Sequence, residues 1–348
     1  MEKRRKLMSW KRGTIVALVA LGVAFAVLRL TPSNDFVFLP NKARLVAPLV
    51  IVPDEQEPSG DGGIYMVDIL VKRATLFEQL FPGLNDEATV VDGDRLNPEG
   101  LSDEQRDQRS TVQMVTSQEI SAAVGLRALG YDVEAEASGV QVDLVRPDSG
   151  ASGILRPGDV IVGAEGQEVA TTADLAAALD AVQPGDVVTL EIERAGSREE
   201  VTIETVADED DDQRALIGIR IQQAASISLP VDIEIDTGNV GGPSAGLAFA
   251  LDIVDELGET DLDSGRTIIV TGELALDGTV LPIGGVKQKA VSARNLDADI
   301  FIVPADNADV ARTNSGDVDV IGVETFDEAI EAITGAPVSA LALGALDE

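Results

Sequence analysis

Residues 237–257 read TGNVGGPSAGLAFALDIVDEL. Glycines and a proline surround Ser244, and apolar residues then recur at Leu247, Leu251, Val254 and Leu257 before Gly258, the spacing of one helix face followed by a glycine stop. The stretch predicts a helix that presents a serine hydroxyl at its start, with Pro243 suited to the first helical turn. Such a serine can act as a nucleophile if a neighbouring base takes its proton. The chain of 348 residues has no histidine and no cysteine, which removes the Ser-His-Asp and Cys-His mechanisms and the usual zinc ligand sets together. Covalent chemistry would have to run on Ser or Thr with a lysine or carboxylate partner.

Beyond the first 30 residues only Lys42, Lys72, Lys287 and Lys289 remain, and two of them share the segment LPIGGVKQKAVSA, residues 281–293. A lysine works as a base near neutral pH only if burial or a local field pulls its pKa down from about 10.4. On a helix starting near Val286, Lys289 shares its row with Val286, Ala293 and Leu296, whereas the row of Lys287 runs through Ala290 and Val291 to Arg294. The pattern leans toward Lys289 and leaves Lys287 open.

The N-terminus carries six basic residues and one acid in MEKRRKLMSWKRG, followed by the apolar run TIVALVALGVAFAVL. A basic flank before such a run predicts a transmembrane signal anchor over residues 1–31, with the flank in the cytoplasm and the rest of the chain outside it. The whole chain has a formal charge of −35, so the part after residue 13 carries −40. A body this acidic repels nucleic acid, and a nucleic-acid role is excluded. The acidic run ADEDDDQ at 207–213 lacks the alternating ligands and glycine of a calcium loop, and it reads as a solvated linker. No metal and no cofactor is expected.

Residues 44–129 predict an α/β segment of two strands and two helices, the second helix long and ending at Gly130. From Tyr131 the texture changes to short alternating strands and one helix, for which Thr172 is the expected N-cap. With LRPGDVI at 155–161 and Gly166, residues 130–207 resemble a PDZ domain of the bacterial type. That resemblance implies a groove between a strand edge and the helix at 172–182, where a peptide end adds as a strand, and a carboxylate-binding loop near Gly130 and Tyr131.

The motifs GGPSAGL, TGEL and LPIGGVKQK, in this order over residues 214–335, are similar to the proteolytic domain of the Lon proteases, peptidase family S16. With the anchor and the PDZ-like segment, the chain resembles the membrane-anchored, PDZ-containing Lon-like proteases. The resemblance implies an α+β protease domain of the ribosomal protein S5 domain 2-like kind, cleaving accessible or unfolded polypeptides with a Ser-Lys dyad. Ser244 would be the nucleophile. Lys289, last residue of the GGxxxK pattern, would be the base, and Thr271 of the TGE motif would orient it. Gly241, Gly242, Pro243 and Ala245 would let the substrate backbone approach. The family assembles in rings, so a homo-oligomer, as a hexamer, is implied. The position three before the serine, often acidic in ATP-dependent members, is Gly241, and no GxxxxGK[ST] loop occurs in the sequence, so ATP-independent action is expected. The rival from another class is a non-catalytic, membrane-tethered PDZ adaptor that binds peptides. Residues 336–348 read as a frayed tail.

Overall fold

A computed structural model describes residues 2–53, 62–97, 100–208, 214–238 and 240–340, with side chains from Ile15 onward. The acidic turn at 54–61, most of the linker at 207–213 and the tail beyond 340 lie outside the described residues. The chain divides into two units, Met1–Asn41 with Ile69–Pro98, and Lys42–Asp68 with Glu99–Glu348.

In the first unit, helix α1 (Glu2–Leu30) leads into a three-stranded antiparallel sheet in which Pro32–Pro40 lies between Ile69–Thr75 and Thr89–Val91. Ile15, Leu18, Leu21 and Val23 of α1 are exposed, and the Arg29 guanidinium stacks 4.2 Å from the Phe77 ring. Among the described residues no helix is long and apolar enough to cross a membrane. The expected membrane span at 1–31 therefore has no support from the fold.

The second unit runs, in chain order, through β1 (Gly63–Met66), α2 (Asp103–Ala128), β2 (Glu134–Val145), β3 (Val160–Ala164), α3 (Thr172–Leu179), β4 (Val187–Arg194), β5 (Ser197–Glu204), β6 (Ile219–Ser228), β7 (Glu234–Ile235), α4 (Gly246–Leu257), β8 (Thr267–Val270), α5 (Val286–Asn295), β9 (Ile300–Pro304), β10 (Asp319–Val323) and α6 (Phe326–Thr334). One sheet has the order β5-β4-β3-β2-β6. Its core forms because alternate residues point to one face, so Val188, Leu190 and Ile192 of β4 are all buried against Leu175 of α3. The LRPGD motif acts inside this module: buried Asp159 accepts the Arg156 N–H at 2.8 Å and is gripped by Arg194 at 2.8 and 2.6 Å.

Two expectations are corrected in this module. The N-cap of α3 is Thr171, not Thr172: its hydroxyl accepts the Asp174 N–H while the Asp174 carboxylate accepts the Thr171 N–H. The strand β6, read from sequence as the start of the protease segment, pairs with β2 along its length, from Ile219 against Val145 to Ser228 against Glu134. The sheet therefore ends at β6, and the edge beside α3 belongs to β6: the Thr172 N–H meets the Gln223 side chain at 3.3 Å. Gly130 and Tyr131, placed by the resemblance near a carboxylate-binding loop, lie at the C-terminal end of α2. They close α2 as a left-handed cap, with Gly130 at φ +86, its N–H on the Arg127 carbonyl and the Tyr131 N–H on the Leu126 carbonyl, so both donors are spent within the helix end.

The other sheet brings β1, β8, β9 and β10 together in parallel, with Arg44–Leu45 antiparallel at the β1 edge. Strands from both sides of the PDZ-like module thus share one sheet. Helix α4 packs against it on a core that includes Phe249, Leu251, Val270, Ile302 and Phe326. The predicted one-sided face is exceeded, since every residue from Gly246 to Val254 is buried. The cause is α2, which covers the other side of α4: a Cβ at Gly125 would lie 3.0 Å from the Ala250 carbonyl, so a larger residue there would require the two helices to give by a few tenths of an ångström. Helix α4 also buries Asp252, whose Oδ2 has no hydrogen-bond partner among the described residues. Burial first, and the Glu256 carboxylate second, push its carboxyl well above the usual range.

Candidate active site

Ser244 is half-buried in the turn that precedes α4, whose N-cap is Ala245, so it sits just outside the helix rather than in its first turn. The Ser244 carbonyl accepts two hydrogen bonds at 2.9 Å, from the Gly272 N–H and from the Thr271 hydroxyl. These anchor the turn to the C-terminal end of β8, where Thr271 is completely buried and its own N–H binds the Ile302 carbonyl.

Helix α5 starts at Gly285, in the left-handed conformation at φ +69, and its second turn brings Lys289 under the serine. Lys289 is 2 % exposed, and its Nζ lies 2.7 Å from Ser244 Oγ and 2.8 Å from Thr271 Oγ1. Desolvation lowers its pKa from 10.5 to about 7, partly opposed by the Asp68 carboxylate, which is itself engaged by Arg44 at 3.0 Å. Lys287, two positions earlier on the helix, is half-buried, and it is Lys289 whose amine bonds the serine hydroxyl. Because the Thr271 hydroxyl proton points to the Ser244 carbonyl, its oxygen is left to accept from the amine. A neutral amine that donates there has its lone pair available for the serine hydroxyl. The arrangement can accept a proton from Ser244 near neutral pH.

Of the small residues expected at the substrate, Gly241 is exposed, Gly242 and Pro243 are half-buried, and Ala245 is buried in the core, where its side chain cannot meet a ligand. Gly242 adopts φ +85 and gives its N–H to the Ser110 carbonyl at 2.9 Å. At Gly241 a Cβ would fall 2.3 Å from Ser110 Oγ. Farther along α2, the Ser117 hydroxyl donates to the Pro243 carbonyl at 3.2 Å and the Ser121 hydroxyl to the Gly246 carbonyl at 2.9 Å. This row of serines holds the turn from the side opposite β8. Sequence reasoning missed it, since Ser117 and Pro243 are 126 positions apart.

Residues 218–335 match the Lon protease (S16) C-terminal proteolytic domain. The chain carries a Lon-type proteolytic domain. Residues 127–205 match a PDZ domain. The Lon-type match begins one residue before β6 and includes this strand, which structurally completes the PDZ-like sheet. Lon protease 2 of Bacillus subtilis is 36% identical over 107 residues, 31% of this chain and 18% of that protein. The Lon protease of Roseiflexus castenholzii is 30% identical over 134 residues, 34% of this chain and 16% of that protein. The chain thus spans less than a fifth of the length of either relative. The PDZ domain of the SdrC-like protein of Listeria innocua is 29% identical, covers 25% of this chain and 96% of that one, and superposes with a TM-score of 0.23.

Proposed function

We propose that this chain is a serine endopeptidase in which Ser244 is the nucleophile and Lys289 the general base. The observation that carries the reading is a buried amine, lowered to a pKa of about 7, at 2.7 Å from the Ser244 hydroxyl. Ser244 Oγ attacks a peptide carbonyl while its proton passes to Lys289 Nζ. The tetrahedral oxyanion is met by backbone N–H groups of the serine turn, at the positive end of α4. Collapse expels the amine, which takes the proton back from Lys289, and water then releases the acyl group by the same exchange. Thr271 keeps the amine aimed at the serine throughout.

Cleavage would need no ATP hydrolysis by this chain and would act on accessible or unfolded polypeptide. The PDZ-like module would select peptide ends, and the sheet edge that supports this is β6 beside α3. Anchoring in a membrane with the body outside the cytoplasm, and assembly into a homo-oligomer, belong to the same proposal. The basic flank and the apolar run in the sequence support the first, and resemblance alone supports the second. A serine-directed acylating probe with peptide mapping tests the core of the reading. Ser244 should be labelled in the wild type and in Lys287→Ala but not in Lys289→Ala; the reverse lysine dependence would refute the assignment. Alkaline extraction of membranes and light scattering of the purified protein test the last two points.

A further inference from the structure

An open groove runs along one face of α2. Glu104, Asp107, Gln108, Thr111 and Val115 are exposed and follow the three-and-four spacing of a single helix face. Three clefts lie along this face and share residues. The first sets Glu104 and Gln108 against Leu155, Arg156 and Pro157 of the PDZ-like module. The second repeats Glu104 and Gln108 and adds Asp107 and Thr111. The third repeats Asp107 and Thr111, has a volume of about 640 Å³ and ends at Gly241. From Glu104 to Gln118 the helix rises about 21 Å, which an extended peptide covers in about six residues. Gly241 is three steps of chain from Ser244, so the groove ends within about 11 Å of the serine.

The chemistry of the near end is specific. Met114 forms a buried floor, with Val115, Ile235 and Val240 beside it. Asp107 and Asp236 both line the cleft and are exposed, Asp107 on α2 and Asp236 just after β7, between Ile235 and Thr237, which the Gln118 side chain holds. No lysine or arginine lines this cleft, and among the described residues neither carboxylate enters an ion pair. Asp236 uses Oδ1 to accept the Gly238 N–H at 2.9 Å. A long side chain with an apolar stem and a cationic head satisfies both features, the stem on the floor and the head at one of the carboxylates.

We propose that this groove is a track for extended polypeptide, and that Asp107 and Asp236 select a lysine or arginine within about three residues of the bond to be cut. The proposal names the substrate class of the site and rests on the peptidase reading for its cleavage arm alone.

Binding is read in the Ser244→Ala protein, with fluorescein-labelled unstructured peptides that differ only in carrying Lys, Gln or Glu at matched positions. The Lys peptide should bind ~5-fold more tightly than the Gln peptide, the scale of a partly exposed ion pair, and the Glu peptide more weakly than either. The preference should fade as salt rises from about 0.05 to 0.5 M. Adding Asp107→Asn and Asp236→Asn should abolish it, whereas Glu259→Gln with Glu331→Gln, which removes equal charge elsewhere, should keep it. Equal binding of the Lys and Glu peptides, or a preference untouched by the aspartate changes, overturns the proposal. For cleavage, mass-spectrometric mapping of casein fragments from the wild type should show basic residues enriched near the cut bonds, and a random distribution also overturns it. If the Lys preference holds in binding while no bond is cut and Ser244 takes no probe, the peptidase reading falls and the groove stands as a peptide-binding site.

Discussion

Replacing Lys289 by methionine should make the protein more stable at neutral pH. An amine moved from 10.5 to about 7 carries a native-state penalty on its charged form of about 5 kcal/mol, at roughly 1.4 kcal/mol per tenfold change. Between those two pH values the unfolded chain binds a proton that the folded chain does not, so this part of wild-type stability rises with pH. At pH 7 nearly the whole penalty is present, and at pH 10 it has fallen to under about 1 kcal/mol. Methionine fills a similar volume without a charge but forfeits the contacts to Ser244 and Thr271, worth about 1 kcal/mol each. The expected gain is therefore about 2–3 kcal/mol at pH 7, vanishing or reversing by pH 10. Calorimetric unfolding of both proteins at pH 7, 8.5 and 10 measures it. A variant less stable than wild type at pH 7, or a gain that does not change with pH, would refute the placement of an amine in a dry site.

Acylation by the serine-directed probe should rise about tenfold per pH unit below 7 and level off above it, because only the neutral amine takes the proton; a stopped-flow profile centred near 10 would contradict this. Thr271→Val should lower kcat about a hundredfold with little change in KM, since the Gly272 N–H still holds the Ser244 carbonyl while the lysine loses its aim. Gly241→Ala should lose most activity because its Cβ meets Ser110 Oγ at 2.3 Å, and adding Ser110→Gly should restore part of it in the same peptide assay. Asp252→Asn should stabilise the fold more at pH 7 than at pH 4: a carboxyl raised by burial costs stability as pH climbs above its unfolded value, and melting curves at both pH values measure the difference.

The catalytic candidates were legible because their signals are local. GGPSAG sets a tight turn before an apolar helix, and VKQKA sets a lysine on an otherwise apolar row, so each motif could be read inside a window of a dozen residues. What supports them was not legible. Ser110, Ser117 and Ser121 look like ordinary polar positions of a long helix until α2 is laid on the serine turn, and no periodicity announces a contact made across an inserted module. The same limit explains β6. IGIRIQ has the alternation of a strand, but alternation is silent about which sheet the strand joins, and only the pairing with β2 decides it. Gly130 and Tyr131 show a related limit: a glycine at a helix end has a complete local use as a cap, which a family pattern does not reveal.

The pairing of β2 with β6 also bears on how the chain folds. Strand β2 follows α2 and β6 leads toward the serine turn, so the ribbon they make draws the two ends of the intervening module side by side. Before that ribbon closes, α2 and Ser244 are separated by a long flexible loop whose closure is entropically unfavourable; afterwards the separation is effectively a short one. An unfolded polypeptide therefore holds the hydroxyl and the amine without the scaffold that unites them, and destabilising the middle module should silence the site.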